Sequence, residues 1–302
     1  MALADWLVVG SIIAGAGAIA PVIVEAWRRS TAPDKPSPGG SVDIEAAQER
    51  ISATSMEQLP PSLENQRASF ERLLDFNDQF GLRFIVSTLA PPQDQPFQHS
   101  MTQEEVEAAE SVSRVLPRSR SFSPHFETAD KVDLRCLDNL IVLGSRRKNK
   151  VAAELLRFMK DFDIDFVQIL YDDEEERWGL SFGGQTYASP LFDQQRQYKK
   201  DPTYRDRAGF VDYGLLAKLT NPWNEDARVL LIAGVKSLGT LGSGKFLEEN
   251  GPWLEGKVGS SNFAQLVKVV REDPSKDHIS VEAVGEPRKL PDVMGADAVT
   301  EE

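Results

Sequence analysis

The sequence predicts an α/β fold: a Rossmann-like sheet with helical additions and one N-terminal transmembrane helix. An apolar strand pattern at residues 139–143 ends in a glycine turn and leads into an amphipathic helix pattern, which is the order of a βα unit. Two further strand patterns, residues 212–219 and 227–234, flank Asn221 and Pro222. Because these two residues are strong turn formers, the pair predicts an antiparallel hairpin. A long apolar run near the N-terminus predicts the membrane helix.

Composition limits the kinds of function. The chain has 302 residues, of which 41% are hydrophobic and 27% charged, so most of it is able to bury a core. Its net charge of -13 argues against nucleic acid as a partner, since that needs a basic footprint. A small phosphorylated ligand held by a few local cations remains compatible with this charge. Cys136 is the only cysteine, which excludes an intramolecular disulfide and a cysteine-based zinc site.

Residues 6–27 are apolar or small apart from Glu25, and they are long enough to cross ~30 Å of hydrocarbon as a helix. Trp6 and Trp27 stand at interfacial positions and two arginines follow, so the positive-inside tendency places the rest of the chain in the cytoplasm. The alternative is a cleaved signal peptide, but no Lys or Arg precedes the run. The sequence therefore predicts a single-pass anchor at residues 1–29 in the inner, cytoplasmic membrane.

Small residues recur on one face of this segment at helical spacing: Gly10, Ser11, Ala14, Gly15, Gly17 and Ala18. Such a face lets two helices pack closely, which favours a homo-oligomer. Small residues are also common in membrane helices generally, so this interpretation stays open.

A tether and a mixed middle region follow. Residues 30–41 are rich in Pro, Gly and Ser and predict a flexible linker. Residues 42–130 predict a helical or α+β region. In it, Thr102 and Glu105 have capping-box spacing and predict the start of a helix.

The main α/β domain is predicted at residues 131–286, and its first βα turn is basic. A helix N-terminus attracts anions through free backbone N–H groups, and cations in the turn strengthen this attraction. The alternatives are a solvated loop and contact with acidic lipid headgroups. The candidate ligand-binding residues of this turn are Gly144, Ser145, Arg146, Arg147 and Asn149, with Lys148 and Lys150 adding charge.

The stretch from Gly239 to Lys245 fits the Gly-x-x-x-x-Gly-Lys part of a phosphate-binding P-loop. Phe246 occupies the position of the magnesium-binding Ser or Thr, and the preceding strand is expected to end near Gly234, so the pattern does not predict nucleotide hydrolysis. We interpret the stretch as a loop that opens a helix at about Thr240 and cradles an anion. Its candidate ligand-binding residues are Gly234, Gly239, Thr240, Ser243 and Lys245.

A strand pattern at residues 164–171 runs into five carboxylates at residues 172–176. Such a run is usually a solvated loop, so neither a metal site nor a cofactor is predicted. The polar residues 287–302 predict a mobile tail.

The order of these patterns resembles a Rossmann-like domain of poorly characterised bacterial membrane-anchored proteins, and it is similar to a segment of archaeal S-layer-like proteins. The resemblance covers residues 132–270. Where the family often has two glycines, this sequence has Gly144 and Ser145. The resemblance implies the fold and a role as a signalling or conflict-related sensor, and it supplies no catalytic residue. The matching residues are Gly144, Asn149, Asn221, Pro222, Trp223, Asn224, Ala233, Gly234, Gly239 and Thr240.

The leading functional hypothesis is that the protein senses a nucleotide-like or other anionic ligand and signals through its anchor or through oligomerisation. One alternative is a membrane-tethered scaffold or interaction subunit without a small ligand. Another is a nucleotide or N-glycoside hydrolase that uses Asp212, or a carboxylate within residues 172–176, as base or nucleophile. No carboxylate pair has convincing spacing for that chemistry.

Overall fold

The computed structural model describes residues 41–56, 61–87, 100–116, 125–133, 138–170, 176–191, 194, 209–272 and 278–292. Residues 38–302 form one compact unit. The described helices are α1 (Ile44–Met56), α2 (Pro61–Leu74), α3 (Gln103–Val115), α4 (Lys150–Met159) and α5 (Ser237–Val258). The described strands are β1 (Ser41–Asp43), β2 (Leu82–Val86), β3 (Ser100–Thr102), β4 (His125–Thr128), β5 (Asn139–Leu143), β6 (Ile164–Leu170), β7 (Glu176–Phe182), β8 (Gln185–Ala188), β9 (Phe210–Asn221), β10 (Asn224–Gly234), β11 (Phe263–Arg271) and β12 (Ser280–Lys289).

The central sheet has seven strands in the order β12-β11-β9-β10-β5-β2-β4. One half is parallel, because β4, β2, β5 and β10 pair in parallel. The other half is antiparallel, through β10, β9, β11 and β12. A separate antiparallel sheet contains β6, β7 and β8. The molecule thus has the α and β content of the predicted class, but its main sheet is mixed.

The strands of the central sheet bury both faces. Along β5, Ile141 and Leu143 point to a core shared with α1, α2, α3 and α5. Leu140 and Val142 point to a second core shared with α4 and the sheet of β6, β7 and β8. This alternation follows from the period of two along a strand, and burial on both faces explains why β5 is continuously apolar. We call these two sides the helical face and the small-sheet face.

The predicted βα unit and hairpin are confirmed. β5 has the predicted bounds, and α4 buries Val151, Leu155 and Met159. β9 and β10 pair in antiparallel register around the predicted turn. At that turn the Asn221 side chain accepts a hydrogen bond from Trp223 N and donates one to the carbonyl of Asp138.

The predicted middle region and the predicted domain share one sheet. β2 and β4 lie within residues 42–130, yet β2 pairs directly with β5, so the boundary at residue 130 does not separate two folding units. The predicted tail also begins too early, because β12 continues to Lys289 and pairs with β11. Apolar side chains at alternate positions, Val281 and Ala283, pack against the core and hold this strand in place.

The membrane helix requires a correction. Residues 6–27, where it was predicted, lie outside the described residues. Among the described residues no helix is sufficiently long and apolar to cross a membrane; the longest, α5, carries Lys245, Glu248, Glu249, Glu255 and Lys257. This finding overturns the single-pass helix of the predicted fold class and the membrane location that rested on it. The fold is mixed α/β.

Candidate functional site

The carboxyl ends of β2 and β5 form a topological switch point. The two strands are parallel neighbours, but the next described helix after β2 is α3, on the helical face, whereas β5 leads to α4, on the small-sheet face. In open α/β sheets, ligands bind in the crevice outside such a pair of strand ends. The candidate site therefore lies at this edge of the sheet.

Gly144 and Asn149 build the turn that leaves β5. Gly144 has a φ of 100°, and a Cβ atom there would lie 1.9 Å from Ser87 Oγ at the end of β2, so only glycine fits. Asn149 caps α4, since its Oδ1 accepts from the N–H groups of Val151 and Ala152. Its Nδ2 donates to the carbonyls of Ile85 and Leu143. Both residues therefore hold the strand ends together, and Asn149 has no capacity left for a ligand.

Glu105 lies buried beneath this turn. The carboxylate accepts from Thr102 N at 3.1 Å, and Glu105 N donates to Thr102 Oγ1 at 3.2 Å, which is the predicted capping box of α3. Burial raises the pKa of Glu105, while hydrogen bonds with Thr102 and Ser87 and the positive charge of Lys148 favour the ionised form.

The second part of the site is the junction between β10 and α5. Gly234 ends β10, and a Cβ atom there would lie 2.2 Å from the Lys236 carbonyl oxygen, so the chain turns tightly into the helix. α5 has no cap from its own N-cap residue, Lys236. Instead Asp212 of β9 caps it, because Asp212 Oδ2 accepts from Gly239 N at 2.6 Å and from Lys236 N at 3.1 Å. The Asp212 carboxylate therefore occupies the N-terminal N–H groups of α5 that an anionic ligand would otherwise bind.

Asp212 is fully buried, and burial raises its pKa from 3.8 to about 6. The Ser189 hydroxyl and the N–H groups of Tyr213, Gly239 and Lys236 oppose this shift. The Oδ1 atom has no partner in hydrogen-bond geometry among the described residues. Since its exposed fraction is 0%, Asp212 does not reach solvent as a general base would.

Three cations lie near one another at this edge of the sheet. Arg147 and Lys148 are exposed and form no ion pair within the described part of the chain, while the Arg147 guanidinium lies 5.2 Å from the ring centroid of Trp178. Burial is the largest cause that lowers the pKa of Lys236, and the charges of Arg147 and Lys148 lower it further, whereas Asp212 raises it. We call Arg147, Lys148 and Lys236 the cation cluster.

Arg146 is held differently from its neighbour. Its Nη1 atom donates to Asp165 Oδ1 at 2.8 Å and to the Phe166 carbonyl at 3.4 Å. Beside it, a small depression is lined by Ser145, Arg146, Arg147, Phe166, Trp178 and Val235. Ser145 is half-buried at its rim.

The predicted anion cradle around residues 239–245 is wrong as a loop, because α5 begins at Ser237 and these residues lie inside it. Thr240 is 2% exposed, and Ser243 is buried with its hydroxyl donating to the Gly239 carbonyl. Lys245 lies nine positions after Lys236, about 13 Å along the helix axis. The structure brings the β5 turn next to the end of β10, since Gly144 N donates to the Ile232 carbonyl. Gly239 and Thr240 pack against Gly234 from inside α5, and Ser243 is buried further along the helix.

Sequence reasoning missed the Lys236 side chain and the aromatic partner Trp178. It placed Glu105 in a capping box but did not indicate that this carboxylate lies buried beneath the β5 turn. Lys236 stands two residues after the predicted strand end at Gly234, so a helix predicted to start at residue 237 would have singled it out as the N-cap residue. No group of His, Cys, Asp and Glu within the described ranges is arranged to hold a metal ion, and residues 172–175 lie outside those ranges. Comparisons with protein-family models, curated proteins and solved structures find no match to this chain.

Proposed function

We propose that this protein binds a small phosphate-bearing ligand, nucleotide-like or another anion, at the cation cluster and acts as a sensor of that ligand. The observation that carries the proposal is the closeness of like charges. Burial is the largest cause that lowers the pKa of Lys236 and Asp212 opposes it, while the nearby charges of Arg147 and Lys148 lower it further, although the chain as a whole has a net charge of -13. Positive charges held together repel one another, and an anion placed between them removes that repulsion.

The mode of binding differs from that of a glycine-rich phosphate loop. Asn149 caps α4 and Asp212 caps α5, so few helix N–H groups are left for an anion. Side chains would supply the contacts, and Arg147 suits a phosphate group because its planar guanidinium presents two parallel donors. Binding by exposed side chains is weakened by salt.

Signal transmission would run through α5. The backbone of Lys236 donates to Asp212, which caps this helix. α5 in turn contacts α2, α3 and the strands β9 to β12. A ligand that draws Lys236 outward would act on this helix, provided that it binds the two states with different affinity.

Calorimetric titration of the full chain with sulfate, inorganic phosphate, AMP and ATP tests the proposal. We expect binding to at least one of these anions, and its loss in the double variant Arg147→Ala/Lys148→Ala. The matched control is Arg157→Ala, since Arg157 is 71% exposed and pairs only with Glu154 on α4 among the described residues. Binding that survives the double variant, or no binding by any anion, would overturn the proposal and favour an interaction subunit.

A further inference from the structure

The two neighbouring arginines of the β5 turn are in different electrostatic states. Arg146 is neutralised by Asp165. Arg147 has no such carboxylate partner among the described residues and lies over the Trp178 ring instead. An aromatic face attracts a cation without neutralising its charge. Within the described residues the charge of Arg147 is therefore not neutralised by a carboxylate, while the ring restricts its position.

We infer that Trp178 is a positioning residue for the proposed anion site: its ring face holds Arg147 so that the guanidinium edge is free for two oxygens of one oxyanion. The inference rests on the proposed function and deepens it. A guanidinium that lies over an aromatic ring makes this contact without using its in-plane N–H donors on a carboxylate. The geometry favours a tetrahedral oxyanion, such as a phosphate monoester or sulfate, over a spherical anion such as chloride.

Trp178 is itself well fixed. It lies on β7 opposite Gln168 of β6, its carbonyl accepts from Ser189 N at 3.4 Å, and its side chain packs against the small-sheet core. The same ring lines the depression that reaches Val235 at the end of β10. An arginine held against a rigid platform loses less entropy when it binds a ligand than a free one does.

Two substitutions test this role in the full chain. In calorimetric titrations with sulfate, Trp178→Leu should weaken binding about 3- to 10-fold, the range expected for a lost cation–π contact. Trp178→Phe retains an aromatic face and should weaken binding less. The decisive readout is coupling: in an Arg147→Ala background, Trp178→Leu should cause no further loss, because the tryptophan acts only through that arginine.

Spectroscopy adds a readout that a merely structural role would not change. Full chain labelled with 5-fluorotryptophan gives a Trp178 resonance, assigned by its disappearance in Trp178→Phe. Sulfate should shift this resonance with the affinity found by calorimetry, and chloride at equal ionic strength should not. Trp223→Phe, in the β9–β10 turn, is the matched control and should leave sulfate affinity unchanged.

The failures are distinguishable. If the wild-type chain binds sulfate or phosphate and Trp178→Leu binds equally well while remaining folded by its thermal unfolding curve, this inference is overturned and the proposed function stands. Independent losses from Trp178→Leu and Arg147→Ala that simply add would also overturn it. If no anion binds to the wild-type chain, the proposed function and this inference both fail.

Discussion

Ionisation of the buried Asp212 carboxyl opposes folding. Its pKa rises from 3.8 to about 6 because the carboxyl is buried. The unfolded chain releases this proton near pH 4 and the folded chain near pH 6, so the folded state binds more protons between these values. Stability from this group is therefore complete below pH 4 and falls as pH rises to 6. The loss is roughly 3 kcal/mol for a shift of this size.

Asp212→Asn should remove this loss. The asparagine oxygen still accepts from the Lys236 and Gly239 N–H groups, while the amide has no charge to bury. We expect the variant to equal the wild type in free energy of unfolding near pH 4 and to exceed it by up to about 3 kcal/mol at pH 7. Urea unfolding of both proteins from pH 4 to pH 7 measures the difference, in which other titrating groups cancel.

Asp212→Ala is the companion variant, since it removes both the charge and the cap. Loss of a helix cap costs about 1 kcal/mol, so this variant should be less stable than Asp212→Asn at every pH. A difference between the wild type and Asp212→Asn that stays constant from pH 4 to pH 7 would contradict the raised pKa.

The sequence shows which residues are unusual at the end of β5, but not which groups they hydrogen-bond to. The sequence marked Gly144 and Asn149, at the end of β5, as candidate ligand-binding residues. It did not indicate that Asn149 satisfies two helix N–H groups and two strand carbonyls, because those partners come from β2, β5 and α4 together. The spacing of polar residues shows where a helix begins, but only tertiary contacts decide whether its first N–H groups remain free for a ligand.

At the scale of elements, the glycines of α5 permit close packing. Cβ atoms at four of them would meet a neighbour at short distance: Gly239 the Tyr213 carbonyl at 2.2 Å, Gly242 the Val269 side chain at 2.0 Å, Gly244 the backbone of Ala108 at 2.9 Å, and Gly251 the Phe70 ring at 1.9 Å. The helix thus lies directly against β9, β11, α3 and α2. The pattern that resembled a phosphate loop is a packing pattern.

A pair of glycine substitutions in α5 tests this. Gly242→Ala should destabilise the protein by about 1–3 kcal/mol or more, because the added methyl group overfills the contact with Val269. Gly256→Ala, where no atom lies within 4 Å of the added methyl group, should stabilise it by about 0.5–1 kcal/mol through helix propensity. Thermal and urea unfolding measure both. Equal effects of the two substitutions would show that propensity, not packing, governs these glycines.

Elements with strong local patterns were predicted, and elements that depend on tertiary contacts were not. β5, α4, α3 and the β9–β10 hairpin have apolar periodicity, caps or turn residues that identify them. The start of α5 was missed because its glycines have low helix propensity, which packing overrides. β12 was missed because this edge strand is largely exposed and polar.

At the scale of the whole molecule, the sheet brings a cap, a carboxylate and three cations from distant parts of the sequence to one edge. Arg147 and Lys148 follow β5, Lys236 follows β10, and Asp212 lies on the antiparallel strand β9. Ionised Asp212 interacts favourably with Lys236 and so offsets part of the positive charge of the cluster. When Asp212 takes up a proton, that offset is lost and the edge becomes more attractive to anions.

Anion affinity should therefore depend on pH through Asp212. Sulfate remains a dianion from pH 5 to pH 8, so a change in its affinity over this range reports on the protein. We expect the full chain to bind sulfate more tightly as pH falls through about 6, where Asp212 protonates, and to take up protons on binding, since linkage is reciprocal. Calorimetry at several pH values and in buffers of different ionisation enthalpy measures both quantities.

Asp212→Asn should abolish most of the pH dependence of sulfate affinity. Glu105→Gln tests whether the other buried carboxyl, which lies beside Lys148, contributes to that dependence. A pH dependence that persists in Asp212→Asn and disappears in Glu105→Gln would assign the coupling to Glu105 instead.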